Sequence, residues 1–522
     1  MKKAFILFLF NLLVYSSFSQ CDLNGTLSVF GSTGDQTGHT VVQSTDGGYF
    51  LLGTTANNGT KIMVVRTDEN MVKLWAKTYQ TTNVLEGQAV VATSDGAGGC
   101  VFACYEYTTI RNAVCQRIDA SGNVMWSKRM SASNQDTPRD IFLTSDNKVV
   151  LCGTTNSYGV GAADAFVQVF DIDGNTLWSQ TVGSSSNDHF YAGMENSSGN
   201  YVFAGHADYT GSDRHTWMVE MAPNGTILQD ALYSDGLNAY INDVCQDAEG
   251  SYYVVGCQFN NGNADAWVGK MDNSFYNVWG YEIVSSGVDR GLSIGLNSAN
   301  EVVFTSISDA LGIVSTILIT RLEPTVGSLV SSSKIDYSGS EVTHILAKNS
   351  IMRSDDRIIV YGSTSSYGNG FENILCMTDP CLMNECINSA SISLQGYSPA
   401  PISFPHSISG FGTFSTYGLS NTTLDLATLV NSDVCIYQGV DEVKNEFNLS
   451  VYPNPAADQI TLNSLSNGWK KYHVFNLQGQ LVLTGQYASF TKNIDVSNLS
   501  AGTYLVQVVS ETTNETVRFE KK

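Results

Sequence analysis

The chain has 522 residues, with 49 acidic and 27 basic side chains and a formal net charge of −22. A surface this acidic repels phosphate backbones and anionic membranes, which makes nucleic acid a poor candidate partner. Charged residues make up only 15% of the chain, whereas glycine occurs 47 times. This composition is typical of short strands and tight turns, and the length excludes a single hydrophobic core.

The N-terminus has the three parts of a secretory signal peptide. Lys2 and Lys3 form a basic region, residues 4–15 are apolar, and residues 17–19 (Ser-Phe-Ser) form a small-x-small cleavage pattern. We therefore expect residues 1–19 to be removed on export.

The mature chain would begin at Gln20 or Cys21. Lipidation of Cys21 is an alternative, but Gln20 is not the small residue that such cleavage requires. The apolar run is about twelve residues long, short of the roughly twenty that span a bilayer, and no later run is long enough. No transmembrane anchor is expected.

An oxidising compartment suggests disulfides among the 11 cysteines. Cys104 and Cys115 could face one another across a hairpin, whereas Cys152 and Cys257 are expected to be buried small hydrophobic residues. A zinc site is the weaker alternative for the cysteines that cluster near the end of the repeats, because their spacing is loose and no histidine accompanies them. The disulfide candidates in this cluster are Cys376, Cys381, Cys386 and Cys435.

A unit of about fifty residues recurs along most of the chain. The stretch DGGYFLLGTT, Asp46 to Thr55, returns in variants such as NKVVLCGTT and GSYYVVGC. Each copy has four β-branched and aromatic runs joined by Gly, Asn, Asp and Ser, which predicts four antiparallel strands. Seven such copies predict an all-β, seven-bladed β-propeller of four-stranded blades. The position of Gly53 is taken in later copies by Cys104, Gly153, Gly205, Gly256, Ser306 and Gly362.

The two ends of the repeat region complement one another. A fourth-strand segment, TLSVFGS, begins at Thr26 before the first complete copy, and the last copy ends after Asp379 without one. We expect the N-terminal strand to complete the last blade, since this pairs the chain ends and removes exposed edges. The propeller is predicted to span residues 26–379.

The segments DASGNVMW and DIDGNTLW resemble the D-x-x-G-x-x-x-W pattern of quinoprotein-type, PQQ-like propeller repeats. The resemblance implies the fold of uncharacterised secreted propellers of that class. In this pattern Asp and Gly form the turn and Trp packs between blades. The chain lacks the adjacent cysteine pair of some quinoprotein enzymes, so we expect no cofactor.

The last part of the chain follows a different pattern. Residues 380–445, with prolines in SPAPISFPH, match no repeat and are predicted to form a connector with a few strands of its own. Residues 447–522 contain alternating strands and turn signals that suit a small C-terminal antiparallel β-sandwich.

Four motifs in this last segment carry a family resemblance: YPNPAADQITL, FNLQGQLV, VSNLSAGTYLVQV and the basic tail RFEKK. In order and spacing they resemble the type A C-terminal sorting domain of the type IX secretion pathway. The resemblance implies recognition by the outer-membrane secretion machinery, and often removal of the domain with release of the passenger or its attachment to the outer cell surface. The prolines stop strand pairing and the glycines permit turns. The motif residues are Tyr452, Pro453, Asn454, Pro455, Gly479, Gly502 and Tyr504.

We find no catalytic motif and no metal-binding spacing among the histidines. The DIDGN segment, Asp171 to Asn175, begins like a calcium loop but lacks the remaining ligands. Polar residues recur near the start of the first strand of the copies, where a propeller channel opens. They could solvate the channel, or with Tyr191 and Tyr240 bind a polar ligand such as a glycan. These candidate residues are His39, Gln88, Asp140, Asp243, Arg290 and His344.

The leading hypothesis is a non-enzymatic, secreted or surface-attached binding or adhesion protein, with a glycan or surface protein as ligand. The alternative is a secreted hydrolase or lyase acting on polysaccharide. That alternative requires a pair of channel carboxylates with perturbed pKa values. A structural role in an extracellular matrix is a third possibility.

Overall fold

The computed structural model describes the part of the chain that carries the repeats and most of the C-terminal segment. All its secondary-structure elements in these residues are β-strands, which confirms the all-β class, and none of them is a helix that could cross a membrane. The described residues are 26–30, 35–56, 60–81, 83–94, 98–130, 133–208, 213–234, 238–260, 263–283, 287–308, 316–335, 350–364, 372–378, 387–389, 394–396, 400–402, 407–409, 415–416, 420–423, 432–433, 449–464, 470–476, 480–509 and 514–522.

Seven antiparallel sheets contain the described strands up to residue 433, and each sheet takes four strands from the repeat region. Sheet 1 has β2 (Gln36–Gln43), β3 (Tyr49–Thr55), β4 (Lys61–Thr67) and β5 (Lys73–Gln80). Sheet 2 has β6 (Val84–Ala92), β7 (Cys100–Tyr107), β8 (Arg111–Ile118) and β9 (Val124–Arg129). Sheet 3 has β10 (Asp136–Leu143), β11 (Val149–Thr155), β12 (Asp164–Phe170) and β13 (Thr176–Gly183).

Sheets 4 to 7 repeat this arrangement. Sheet 4 has β14 (Asp188–Glu195), β15 (Tyr201–Asp208), β16 (Arg214–Met221) and β17 (Ile227–Ser234). Sheet 5 has β18 (Asn238–Gln246), β19 (Tyr252–Asn260), β20 (Asn263–Met271) and β21 (Asn277–Ile283). Sheet 6 has β22 (Asp289–Leu296), β23 (Val302–Ser308), β24 (Thr316–Leu322) and β25 (Leu329–Ile335). Sheet 7 has β26 (Ser350–Met352), β27 (Ile358–Thr364), β28 (Glu372–Met377) and β1 (Thr26–Phe30).

The N-terminal strand completes sheet 7, as the sequence predicts. β1 pairs antiparallel with β28 from Thr26 opposite Met377 to Phe30 opposite Asn373. Each sheet also shares a buried apolar core with the next, and one such core joins sheet 7 back to sheet 1. The sheets therefore form a closed, propeller-like ring.

The described strands after the repeats, up to residue 433, belong to the sheets of the ring. These short strands each pair with the outermost strand of one sheet, so every sheet gains a fifth strand, and they follow the ring in reverse order from sheet 6 to sheet 1 and then to sheet 7. We call these strands the belt. They are β29 (Ile387–Ser389), β30 (Leu394–Gly396), β31 (Ala400–Ile402), β32 (Ser407–Ser409), β33 (Ser415–Thr416), β34 (Ser420–Thr423) and β35 (Ser432–Asp433).

The D-x-x-G turn and the tryptophan of the repeat meet across neighbouring sheets. The Trp126 indole of sheet 2 donates a hydrogen bond to the Ile172 carbonyl in the turn of sheet 3, at 2.9 Å. Gly174 in that turn has φ +81°, and a Cβ there would lie 2.7 Å from the Trp126 ring. A side chain is therefore excluded at this position both by conformation and by contact. Trp75, Trp178 and Trp279 donate to the equivalent carbonyls of Ala120, Pro223 and Pro324.

The cysteines within the strands are packing residues. Cys104 lies opposite Val114, and Cys115 lies opposite Ala103, so the two thiols are on opposite faces of sheet 2 and in different cores. The expectation that they face one another across the hairpin is wrong, because side chains alternate between the faces of a strand. Cys152 and Cys257 are buried, as expected. Of the disulfide candidates, Cys376 is buried in β28, whereas Cys381, Cys386 and Cys435 lie outside the described residues.

The C-terminal residues form a separate compact unit from 438 to 522, with two described sheets that share one buried core. One sheet has β36 (Leu449–Tyr452), β37 (Gln459–Ser464) and β40 (Thr491–Asp495). The other has β38 (Lys470–Asn476), β39 (Leu481–Tyr487), β41 (Gly502–Val509) and β42 (Asn514–Lys521).

Two motifs of this unit are hydrogen-bonded to one another. The Asn454 side chain, between the two prolines, donates to the Arg518 carbonyl and accepts from the Glu520 N–H in the basic tail. The Ala456 N–H donates to the Glu520 carbonyl at 2.7 Å. The Tyr504 ring stacks on Phe519 in the core. Tyr452 is exposed, Gly502 opens β41, and Gly479 lies outside the described residues.

Candidate functional site

A central cavity of about 380 Å³ lies on the ring axis and is lined by residues of all seven sheets. β2, β6, β10, β14, β18 and β22 are therefore the inner strands of sheets 1 to 6, with β26 in sheet 7. The lining is mainly apolar, with Val41, Val90, Ile141, Val244, Ile294 and Ile351 among its residues. We call the face of the ring where the inner strands begin the mouth.

Each inner strand from sheet 1 to sheet 6 has a β-bulge at the same position. In β2, Gly38 lies opposite Gly53 and Thr40 opposite Leu52, so that His39 is the extra residue. A bulge changes the direction of the side chains around it and is common next to binding sites. The bulge residues of the six sheets, in order, are His39, Gln88, Arg139, Tyr191, Asn242 and Leu292.

In the first sheet the bulge residue is a buried neutral histidine. The His39 ring is 2.9 Å from the Thr54 hydroxyl, and burial lowers the pKa of His39 to about 4, although the charge of Glu86 acts in the opposite direction. His39 and Glu86 line a second cavity of about 270 Å³ together with Asp35 and Thr60. The imidazole is uncharged at neutral pH, so it has one N–H donor and one acceptor nitrogen.

From sheet 2 to sheet 4 the bulge side chains contact one another. The Arg139 guanidinium donates a long hydrogen bond of 3.5 Å to the Gln88 amide oxygen, and it lies 5.4 Å from the centre of the Tyr191 ring. The Tyr191 ring lies parallel to that of His189, with 5.9 Å between centroids. All four side chains are only partly buried.

The rings continue in a row from sheet 4 to sheet 5. His189 stacks on His206 at 4.4 Å, Tyr191 lies 5.5 Å from Tyr240, and Tyr240 lies 5.9 Å from Phe259. Burial lowers the pKa of His189 to about 3, with a smaller effect of the same sign from the charges of Arg139 and Arg214. The row is therefore uncharged at neutral pH and presents flat ring surfaces beside the Arg139 guanidinium.

Asp140 and Asp243 have a structural role. Asp140 accepts hydrogen bonds from its neighbour Ile141 and from the Gly193 N–H of the next sheet, at 2.8 Å. Asp243 likewise accepts from Val244 and from the Ile294 N–H of the next sheet. Both carboxylates lie at the wall of the central cavity, where they join adjacent inner strands rather than face the mouth.

The remaining candidates divide between the mouth and the undescribed residues. Arg290 is half-buried in β22, two positions before its bulge residue, and its charge acts on Tyr240. His344 lies outside the described residues. The structure thus brings Gln88 to the ring row and places His39 and Arg290 on either side of it. Arg139 and His189 contact the Tyr191 ring of the row, and Asn242 occupies the equivalent bulge position in sheet 5. Arg139 and Asn242 could not be identified from the sequence, because the repeat pattern does not show where the bulges lie.

Buried carboxylates with raised pKa values lie at the starts of two inner strands. Burial raises the pKa of Asp188 to about 7 and that of Asp136 to about 6, against hydrogen bonds from Ser184 and Thr155 respectively. Neither side chain is exposed. Asp164 lies close to Asp188, because a Cβ on Gly183 would meet both carboxylates within 2.8 Å. This acidic pair is closed off from solvent.

Asp188→Asn should change the pH dependence of stability in a defined direction. The folded state holds the Asp188 proton up to about pH 7 and the unfolded state only to about pH 4, so wild-type stability falls between these values as pH rises. The variant has no such proton, and we expect its stability relative to wild type to rise by about 3–4 kcal/mol from pH 4 to pH 8. Thermal or urea unfolding of both proteins across this range measures the difference. A difference that stays constant with pH would contradict the assignment.

Among the described residues, no three histidine, cysteine, aspartate or glutamate side chains cluster as a metal ion would require. The Asp171 carboxylate, at the start of the calcium-like segment, accepts hydrogen bonds from the backbone and side-chain nitrogens of Asn175. It therefore stabilises its own turn.

Residues 450–522 match the family described as the secretion system C-terminal sorting domain. This confirms the sorting domain that the four sequence motifs indicate. The domain indicates secretion by the type IX machinery. No curated protein matches the chain.

The solved structures that resemble the chain share only its general fold. A protein of unknown function from Dyadobacter fermentans is 11% identical with a TM-score of 0.41, covering 68% of this chain and 98% of its own. YCF48 from Cyanidioschyzon merolae is 11% identical with a TM-score of 0.39, covering 69% and 100%. The periplasmic gluconolactonase of Pseudomonas aeruginosa is 10% identical with a TM-score of 0.28, covering 56% and 94%. Likenesses this weak indicate no shared ligand or reaction.

Proposed function

We propose that this protein is a seven-bladed β-propeller that binds a polar ligand, such as a glycan, at its channel mouth. It is carried out of the cell by a signal peptide over residues 1–19 and by the C-terminal sorting domain, a small β-sandwich. The observation that carries the binding proposal is the row of rings from His206 to Phe259 with Arg139 beside it. The mature protein would act in the medium or at the outer cell surface as a binding or adhesion protein.

The chemistry of the row suits a sugar. Sugar rings have an apolar face that packs on aromatic side chains and a hydroxyl edge that needs hydrogen-bonding partners. The Tyr191 and Tyr240 rings, tilted by 56° to one another, would each supply an apolar ring face. Gln88 and Asn242 occupy bulge positions on either side. Their amide nitrogens donate to the Gly87 and Gly291 carbonyls, and each amide has a second N–H that could donate to a sugar hydroxyl.

The hydrolase or lyase alternative receives less support from the geometry. Its requirement is a pair of carboxylates with perturbed pKa values that a substrate can reach. Asp136 and Asp188 have raised pKa values, but both side chains are inaccessible to solvent. The channel carboxylates Asp140 and Asp243 are held by backbone N–H groups.

A glycan array with matched tyrosine variants tests the proposal. We expect wild type to bind at least one glycan class and Tyr191→Ala to bind it about tenfold or more weakly, since stacking on an aromatic ring contributes on the order of 1 kcal/mol or more. Tyr276→Ala is the control, because Tyr276 is 62% exposed in the β20–β21 turn, at the opposite end of sheet 5. Absence of any glycan ligand for wild type, or equal loss in both variants, would contradict the proposal.

A further inference from the structure

We infer that the ligand at the mouth is anionic: an acidic polysaccharide whose carboxylate or sulfate groups pair with Arg139, Arg214 and Arg290. This inference rests on the proposed glycan-binding function and specifies its ligand class. The neutral ring row would hold the sugar, and the three guanidinium groups would select for negative charge.

Arg139 has unused hydrogen-bonding capacity in the centre of the site. Its guanidinium lies over the Tyr191 ring, and the long bond to Gln88 is its one side-chain hydrogen bond among the described residues. Its Nε is buried without a hydrogen-bond partner, so a ligand would reach the two terminal nitrogens. A guanidinium has five N–H donors in a planar fork that matches a carboxylate or a sulfate, so Arg139 can bind such a group in two-point fashion.

Arg214 and Arg290 extend this positive charge along the row. The Arg214 N–H donates to the side chain of Asn238, two residues before Tyr240, and the Arg214 side chain is exposed. The Gly291 carbonyl, next to Arg290, accepts from the side chain of Asn242, two residues after Tyr240. In agreement with these positions, the charges of Arg139 and Arg214 oppose the effect of burial on the pKa of Tyr191, and the charge of Arg290 opposes it for Tyr240. The Arg290 Nε is buried without a hydrogen-bond partner.

The three arginines differ from most arginines of the ring. Among the described residues none of the three has an ion pair with a carboxylate, although Asp208 lies opposite Arg214 in the sheet. The Asp208 carboxylate is itself buried and accepts from Asn187. Elsewhere on the ring Arg66, Arg129, Arg321, Arg353 and Arg357 each pair with an acidic side chain.

This concentration of unpaired positive charge contrasts with the rest of the chain, where acidic residues outnumber basic ones by 49 to 27. Such an acidic protein would repel an anionic polymer over most of its surface, so an anion could be held only where local positive charge is sufficient. Arginine suits this role because its charge persists at all physiological pH values. The neighbouring His189 and His206 rings remain neutral, since burial lowers the pKa of each.

A pair of polysaccharides that differ only in charge tests the inference. Polygalacturonate carries one carboxylate per sugar, and its methyl ester has the same backbone without the charge. We expect the full-length protein to bind polygalacturonate at least about tenfold more tightly than the ester, by affinity electrophoresis or biolayer interferometry. We also expect binding to weaken as NaCl rises. Binding of a sulfated galactan in place of polygalacturonate would assign the anion as sulfate and support the same inference.

Variants without the positive charge show which arginines bind the acidic polymer. Arg139→Gln and Arg214→Gln should each lose about tenfold or more in affinity for the acidic polymer, with unchanged melting temperature. Arg518→Gln, an exposed arginine of the C-terminal unit, is the charge-matched control and should bind as wild type does. Equal binding of the acid and its ester, or equal affinity in the Arg139→Gln variant, would overturn the inference.

Neutral and acidic polymers together distinguish a wrong ligand charge from a wrong glycan site. If a neutral galactan binds in a manner that depends on Tyr191 while no acidic polymer binds, the anionic ligand is wrong and the glycan site stands. If neither neutral nor acidic polymers bind, the glycan site itself is wrong.

Discussion

A chain that ends at Asp379, before the belt, is expected to melt about 5–10 °C below a chain that ends at Tyr437, after it. The belt pairs with the outer strand of every sheet, so its removal costs several net hydrogen bonds of about 1 kcal/mol each. It also exposes seven strand edges, which are templates for pairing with other molecules. Calorimetry and light scattering on the two truncated proteins measure both effects.

The chain that ends at Tyr437 is the control, because it lacks the C-terminal unit but keeps the belt. We expect it to remain monodisperse and to unfold at the temperature of the ring in the full-length protein. If the two truncated proteins were equally stable and equally soluble, the belt would have no role in holding the ring.

The second large effect is expected at the turn glycines beneath the tryptophans. Gly174→Ala should lower the free energy of unfolding by about 3 kcal/mol, as the new Cβ would lie 2.7 Å from the Trp126 ring in a backbone conformation that alanine resists. The substitution should disrupt the contact between sheets 2 and 3. Urea denaturation followed by tryptophan fluorescence measures the change in the free energy of unfolding.

Gly199→Ala separates the cost of the contact with the tryptophan from the cost of the backbone conformation. Gly199 has φ +77°, close to that of Gly174, but no atom lies within 4 Å of the position that a Cβ would take. This variant should cost only about 1 kcal/mol, from the backbone alone. Equal losses in the two variants would mean that contact with the tryptophan has no importance at the junction.

The ring could be predicted from the sequence because its causes are local and repeated. The second strand of each copy is apolar at successive positions, as in the buried run of β11, and a turn rich in Gly, Asn, Asp and Ser precedes it. The unpaired fourth strand at the N-terminus then predicted the closure that β1 and β28 make. The sorting domain could also be predicted, because its four motifs occur in a specific order and spacing. In the structure Asn454 is hydrogen-bonded to the basic tail.

The belt could not be predicted because its strands are too short to show a pattern. β33 and β35 have two residues each, and β31 contains a proline. Their pairing depends on the exposed edges of sheets formed by distant residues, and this dependence leaves no trace in the local sequence. A connector with strands of its own was therefore the natural expectation.

The mouth was only partly predictable because a bulge shifts the alternation of a strand by one residue. Counting from the repeat pattern selected Asp140 and Asp243, which follow the bulge positions and bond to the next sheet. The adjacent Arg139 and Asn242 are the residues in the equivalent positions to His39 and Gln88. His39 and Gln88 are themselves the bulge residues of their strands, so in these two copies the repeat pattern selected the bulge residue directly.

The belt also has a consequence for the order in which the protein can assemble. β1 is held on one side by β28 and on the other by β35, so the first described strand finds both of its partners only when nearly the whole ring sequence is available. Sheet 7 cannot be completed before residues more than 340 positions apart in the chain have met. Because such long-range pairing is slow, we expect the other sheets to form first and the closure of the ring to be the last step of its folding.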